Sequence, residues 1–317
     1  MKPWIGPNNQ IMRRLELHLT YHCPERCIFC SEEHRMKRFR SFPVTWGRVA
    51  RTLRLHAERG VQNVHFTGGE PTIHPRFVDA LQLAKKLGMR TSIGTIGTML
   101  SREDFARKAL PYLDEALFSI HGHTEELHDS LARRQGSFAR VTGAMKTVLR
   151  LKPSFGAFAN VVVTRQNVDS LAEILSFVEN LGARLIVVSN TTPEGGGGDH
   201  YEELAVPLAK LKEEVPRAAA NVQRAVLRFF GMPMCVLGEY HMLSNDLHWD
   251  PRVTVEWMAK PGSVAFDGLY SWAPDRKRVH VDSCGGCIKN KLCMGVFDKY
   301  AQLWHTEDLA PYIKRSP

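Results

Sequence analysis

Seven cysteines fall into two groups whose spacing is suited to metal chemistry in this 317-residue chain. The first group reads Cys23-Pro24-Glu25-Arg26-Cys27-Ile28-Phe29-Cys30. Three thiolates this close can hold three corners of a cubane iron–sulfur cluster and leave its fourth iron open to a small molecule. Zinc is the competing occupant, but it needs a fourth protein ligand, and His22 beside Cys23 is poorly placed to complete a tetrahedron. The second group is Cys284, Cys287 and Cys293, with Cys235 as a fourth thiol from a distant loop. Four thiolates suit one fully ligated [4Fe–4S] cluster or a structural zinc. Gly285 and Gly286 are expected to let the backbone fold tightly there and turn N–H groups toward sulfur. The two groups use every cysteine, so a separate nucleophilic or redox thiol is not expected.

The elements that position these residues follow from periodicity. Leu15, Leu17 and Leu19 alternate with Glu16 and His18, a strand that runs straight into the first cysteine group. A helix follows with Thr45 as N-cap, Val49, Leu53 and Ala57 on one face, and Gly60 as its stop. Further strands are predicted at 64–67, 91–95, 116–120, 158–164 and 185–188. Helices are predicted at 77–87, 138–151 and from an Asn167 cap to about 181. A short helix begins at a capping box of Ser101 and Asp104 and ends at Pro111. After the sixth strand come Gly195–Gly198 and one more helix. Six β/α units predict a parallel sheet with helices outside, open or partly closed into a barrel, its active site at the C-terminal ends of the strands. From Cys235 the periodicity fades and Pro, Gly, Trp and Asp become frequent.

Composition excludes other classes. Hydrophobic residues make up 44% and charged residues 24%, which rules out a disordered chain. No apolar run approaches the ~20 residues of a membrane-spanning helix. The N-terminus lacks the apolar stretch of a secretory signal, so a cytoplasmic, reducing location and no membrane partner are expected. Forty-two basic against 33 acidic side chains give a charge of +9, compatible with nucleic acid, a phosphorylated substrate or an acidic peptide. The densest basic run, His34 to Arg40, follows the first cysteine group directly, and a second lies at Asp275 to Arg278. A plain solvated surface would have the same composition. Gly195–Gly198 lacks the Lys and Ser/Thr of a phosphate-binding loop. His65 and His74 read as structural or surface residues. Asp246, Trp249, Asp250, Trp257 and Trp272 either roof a substrate cavity or pack a loop.

The C-x3-C-x2-C run with Phe29 before the last cysteine resembles the signature of the radical S-adenosylmethionine enzymes. Gly68-Gly69-Glu70-Pro71, at the end of the next strand, is similar to that family's GGEP segment. Thr95-Ile96-Gly97, Phe118-Ser119-Ile120-His121-Gly122 and Val163-Thr164-Arg165-Gln166-Asn167 resemble later strand ends, so the likeness covers about residues 10–200. It implies an α/β fold: a partial (β/α)6 TIM-like barrel over 10–230 with a loop-rich C-terminal cluster-binding extension over 231–317. It implies that Cys23, Cys27 and Cys30 ligate a [4Fe–4S] cluster that binds S-adenosylmethionine. Gly68 and Gly69 would admit the methionine portion, with Glu70 fixing the loop and Thr95 nearby. Phe29 would lie by the adenine and Ser119 by the ribose or carboxylate, although Ser119 also reads as an ordinary polar strand end. Cys235, Cys284, Cys287 and Cys293 resemble the auxiliary-cluster extensions called SPASM or twitch. Full SPASM domains carry more cysteines, so a single auxiliary [4Fe–4S] cluster is implied.

The implied function is reductive cleavage of S-adenosylmethionine to a 5′-deoxyadenosyl radical that abstracts a substrate hydrogen. The auxiliary cluster would aid oxidation or cross-linking, with a ribosomal precursor peptide as the leading substrate. Alternatives are a small molecule (sugar, nucleoside or cofactor precursor) or a tRNA, the last favoured only by charge. A flavodoxin or ferredoxin is implied as electron donor. With about 14 residues before the first strand, a leader-recognition domain would be a separate protein.

Overall fold

Period-two alternation builds the sheet. Leu15, Leu17 and Leu19 on β1 (Arg14–Thr20) and Val64 and Phe66 on β2 (Asn63–Gly68) are fully buried in the main core. The alternate residues carry polar groups on the opposite face. The structure, a computed structural model, describes residues 2–304, 306 and 309–313. The remaining sheet strands are β3 (Arg90–Thr95), β4 (Glu115–Ser119), β5 (Gly156–Val163), β6 (Leu185–Asn190), β7 (Val226–Phe230), β8 (Arg252–Lys260) and β9 (Ser263–Ser271). Their order is β7-β6-β5-β4-β3-β2-β1-β8-β9. Every neighbouring pair is parallel except the β8–β9 hairpin.

Helices cross over between parallel strands: α1 (Glu33–Phe39), α2 (Trp46–Glu58), α3 (Phe77–Lys86), α4 (Glu103–Ala109), α5 (Glu125–Ala132), α6 (Ser137–Leu151) and α7 (Leu171–Asn180). After β6 come α8 (Gly195–Asp199), α9 (Tyr201–Leu204) and α10 (Leu208–Ala220), then α11 (Met234–Leu237) after β7. The tail adds a small β10 (Arg278–Val279) and β11 (Val296–Phe297) pair and α12 (Asp298–Leu303). This is the α/β partial barrel of the sequence reading, with β7 and β9 as the sheet's two edges. Among the described residues, no helix is long and apolar enough to cross a membrane.

Several local expectations are corrected. A seventh parallel strand, β7, follows the six read from sequence, and β8 joins the sheet on the far side of β1. Val253, Val255 and Trp257 carry β8's alternation and are buried. Arg102, not Ser101, is the N-cap of α4, because the Ser101 hydroxyl donates to the Thr98 carbonyl instead. Asn167 does not cap α7. Its amide joins the ends of β4 and β5, accepting from Thr164 N and donating to the His121 and Val162 carbonyls. The glycine run is itself the turn of helix α8.

Candidate functional site

Because the strands are parallel, the loops after β1, β2, β3 and β6 gather at one edge of the sheet. The thiols of Cys23, Cys27 and Cys30 line a single cavity there, with Arg26, Lys37 and Arg40 at its margin. Burial pushes the Cys23 and Cys30 thiols up to about 12 each, and raises the Cys27 thiol well above its ordinary value too. Such thiols stay protonated in solution and lose the proton only to a bound metal.

Backbone bonds fix the loop on two sides. Arg26 N and Ile28 N donate to Ala132 O and Leu131 O at the end of α5, at 3.1 and 3.2 Å. Gly196 N donates to Cys30 O at 2.9 Å. A Cβ at Gly195 would lie 2.4 Å from Cys30 O, and at Gly196 2.8 Å from Ile28 O. The φ of +53° at Gly195 adds a second reason for glycine. The run is thus the abutment of the cysteine loop, a role that absence of a phosphate-binding pattern did not reveal.

Gly68 and Gly69 serve the same loop from its other side. Gly69 N and Glu70 N donate to Thr20 O and His22 O at 2.7 and 2.8 Å. A Cβ at Gly69 would stand 2.2 Å from His22 O, and at Gly68 2.4 Å from Thr20 O. These two glycines therefore make room for the cysteine loop's own backbone. Glu70 is fully buried and accepts from Thr72 N at 3.2 Å, Thr95 Oγ1 at 2.9 Å and Ile96 N at 2.8 Å, and also from the Thr72 hydroxyl. It locks the ends of β2 and β3 together, and the Thr95 hydroxyl is spent on that lock.

Phe29 is buried with its ring 4.6 Å from that of His121, edge to face, and His121 stacks on His128. Ser119 ends β4 on the sheet's polar face, in register with Asn160. Glu25, between the first two cysteines, was not singled out from sequence. It is buried, accepts from the Cys27 thiol at 3.5 Å and from the Ser137 hydroxyl, and burial raises its pKa. On the same polar face, His18 lies 3.4 Å from Glu256 and 3.6 Å from Glu32. Arg35 closes that group by pairing with Glu32 at 2.9 Å and Glu256 at 3.2 Å. Burial drives the His18 pKa down to about 4, so the imidazole is neutral near pH 7.

In the tail, Cys235, Cys284, Cys287 and Cys293 line one cavity together with His280 and Tyr312. The Cys235 thiol is pushed up to about 11 by burial, and nearby thiolates at Cys293, Cys284 and Cys287 add to the rise. That proximity joins Cys235 to the three cysteines from which sequence spacing left it apart. Met234 N and Gly295 N each donate to Cys293 Sγ at 3.4 Å. The sulfur-directed N–H role expected of Gly285 and Gly286 therefore falls to Gly295, whose φ of +78° and 2.0 Å approach to Val279 O exclude a side chain. Nothing lies within 4 Å of a Cβ on Gly285 or Gly286. Four thiols around one cavity, with N–H groups already aimed at sulfur, suit a fully ligated iron–sulfur cluster.

A family model described as the Radical SAM superfamily matches residues 17–178. Mycofactocin maturase MftC from Mycobacterium ulcerans is 30% identical over 319 residues, covering 89% of this chain and 84% of that protein. PqqA peptide cyclase from Gluconobacter oxydans is 29% identical over 209 residues, 65% of this chain and 56% of the relative. The chain thus spans little more than half the length of that cyclase. Among solved structures, Streptococcus suis SuiB bound to the precursor peptide SuiA superposes with a TM-score of 0.59 at 16% identity. That match covers 77% of this chain and 57% of SuiB, and it supports the fold.

Proposed function

Since the chain belongs to the radical S-adenosylmethionine superfamily, we propose that it modifies a ribosomal precursor peptide by oxidation or cross-linking, in the cytoplasm. Membership brings a [4Fe–4S] cluster and S-adenosylmethionine as cofactors. Cys23, Cys27 and Cys30 would hold the first cluster, and Cys235, Cys284, Cys287 and Cys293 an auxiliary one. When bound, the first would supply the electron that splits S-adenosylmethionine into methionine and a 5′-deoxyadenosyl radical, and the second would accept the electron left on the substrate radical after hydrogen abstraction.

The chain's own residues orient and shield. Gly68, Gly69 and Gly195 to Gly197 set the height of the cysteine loop above the strand ends. Glu70 holds Thr95 and Ile96 beside it, while Phe29 would lie by the adenine and the Ser119 hydroxyl by the ribose or carboxylate of bound S-adenosylmethionine. Carriage of thiol-held clusters suits a reducing compartment.

The observation that carries the peptide reading is an open cleft of about 510 Å³. Ser31, His34 and Arg35, just past the first cysteine group, border it on one side, and Arg276, Lys277 and Lys299 of the tail on the other. An extended chain can lie in such a cleft, which begins at Ser31, the residue after Cys30. The peptide substrates named for mycofactocin maturase's companions, PqqA and SuiA, favour the same class. The test is anaerobic incubation with dithionite, S-adenosylmethionine and a precursor peptide encoded beside the gene. Peptide-dependent 5′-deoxyadenosine and a product lighter by two hydrogens are expected. An unaltered peptide alongside a modified tRNA or sugar nucleotide would overturn the reading.

A further inference from the structure

The charge of +9 is not spread over the chain. Residues 34–59 hold eight Lys and Arg against Glu58 alone, a net +7. This segment is α1, α2 and the turn between them, the first structure after Cys30. Arg38, Arg40, Arg48 and Arg51 are all exposed, and none has a carboxylate partner among the described residues. An aromatic chain links their supports: Arg38 lies over Phe39, Phe39 contacts Phe42, Phe42 contacts Trp257, and Arg48 lies over Trp257. The basic groups therefore form one patch across the two helices. Arg40 and Lys37 also line the cavity that holds Cys23, Cys27 and Cys30. The patch thus reaches the rim of the cavity that holds the first cysteine site.

We propose that this patch docks an acidic one-electron carrier protein, which delivers the electron consumed in each cleavage of S-adenosylmethionine. The inference rests on the radical enzyme reading and adds the place at which the reductant binds. Each cleavage takes up one electron. The docked carrier is oxidised by one electron and the site behind Cys30 is reduced by one, with no proton transfer required. A carrier must bring its redox centre near that site, and the patch is the surface there. Unpaired cations on it raise the local concentration of an acidic partner and speed encounter, with a steep dependence on salt. Nucleic acid would also be drawn to positive charge, but Arg40 and Lys37 reach the thiol cavity itself, where the one-electron carrier must bring its redox centre.

The test uses anaerobically reconstituted holoenzyme and follows 5′-deoxyadenosine release with two reductants, dithionite and reduced flavodoxin regenerated by NADPH and its reductase. The double variant Arg38→Glu/Arg51→Glu should lower the flavodoxin-driven rate about tenfold or more at low salt. Its dithionite-driven rate and iron content should match the parent, and high salt should shrink the difference. Lys146→Glu, on the exposed face of α6, is the control and should change neither rate. An unchanged flavodoxin-driven rate in the double variant overturns the proposal, as does an equal fall with both reductants. Loss of tRNA binding without loss of the flavodoxin rate would assign the patch to nucleic acid instead. Failure of the parent to release deoxyadenosine with dithionite would count against the radical chemistry itself, a separate outcome from any defect in docking.

Discussion

The backbone N–H of Gly196 donates to the carbonyl of Cys30 at 2.9 Å, tying the turn after β6 to the last thiol of the first cysteine group. The same turn reaches the tail, since Arg276 pairs with Glu194 at 2.8 Å and Lys299 donates to Gly198 O at 2.6 Å. The turn thus bridges the two thiol-bearing regions.

Gly196→Ala should disturb that bridge. The new Cβ would meet Ile28 O at 2.8 Å, and the cysteine loop or the turn must shift. Iron bound at the first site and S-adenosylmethionine cleavage should both fall, the latter by roughly tenfold for strain of about 1–2 kcal/mol. Gly285→Ala, with open space at its Cβ, should leave both unchanged. Equal behaviour of the two variants in iron analysis would remove the positional role.

Glu70→Gln should weaken cofactor binding without unfolding the chain. An amide cannot accept at both atoms from Thr72 N, Thr95 Oγ1 and Ile96 N, and one buried donor faces another. Loss of about 1.5–3 kcal/mol in loop fixation predicts a roughly tenfold to hundredfold rise in the apparent KM for S-adenosylmethionine. An unchanged KM would show that the loop does not depend on Glu70.

Cys287→Ala separates the two thiol sites. Deoxyadenosine release with dithionite should remain within about twofold, a change of under 0.5 kcal/mol, while modified product disappears. Normal product from this variant would make the second site structural.

Glu16 provides a pH test of the β1–β8 junction. Burial alone would raise its pKa, but Arg252 at 2.6 Å and Arg14 outweigh burial and hold it at about 2, against an ordinary 4.5. A depressed carboxyl contributes stability that is fully present above pH 4.5 and lost as pH falls toward 2. Glu16→Gln should lower the urea midpoint at pH 7 by the equivalent of about 3 kcal/mol. The gap to the parent should close between pH 4.5 and 2. A gap constant over that window would refute the pairing.

Much of the core was legible because β1 through β6 alternate cleanly and each is followed by amphipathic helix. The three-thiol run and the GGEP segment were equally visible, being local. What escaped was set by distant partners. Arg102 displaces Ser101 as a cap because Ser101 has found the Thr98 carbonyl, and Asn167 leaves α7 for the ends of β4 and β5. The glycine run carried no binding pattern because its purpose is the empty space that the Ile28–Ser31 backbone fills. β8 was hidden by its Trp- and Pro-rich surroundings, although Val253, Val255 and Trp257 carried the signal.

Cys23, Cys27 and Cys30 must form a working cofactor site for any of this chemistry to occur. The direct measurement is 5′-deoxyadenosine release by anaerobically reconstituted protein given dithionite and S-adenosylmethionine, with Cys30→Ala beside the parent. Release by the parent and none above background from the variant is the predicted result. Release from Cys30→Ala at the parent's rate would contradict the account.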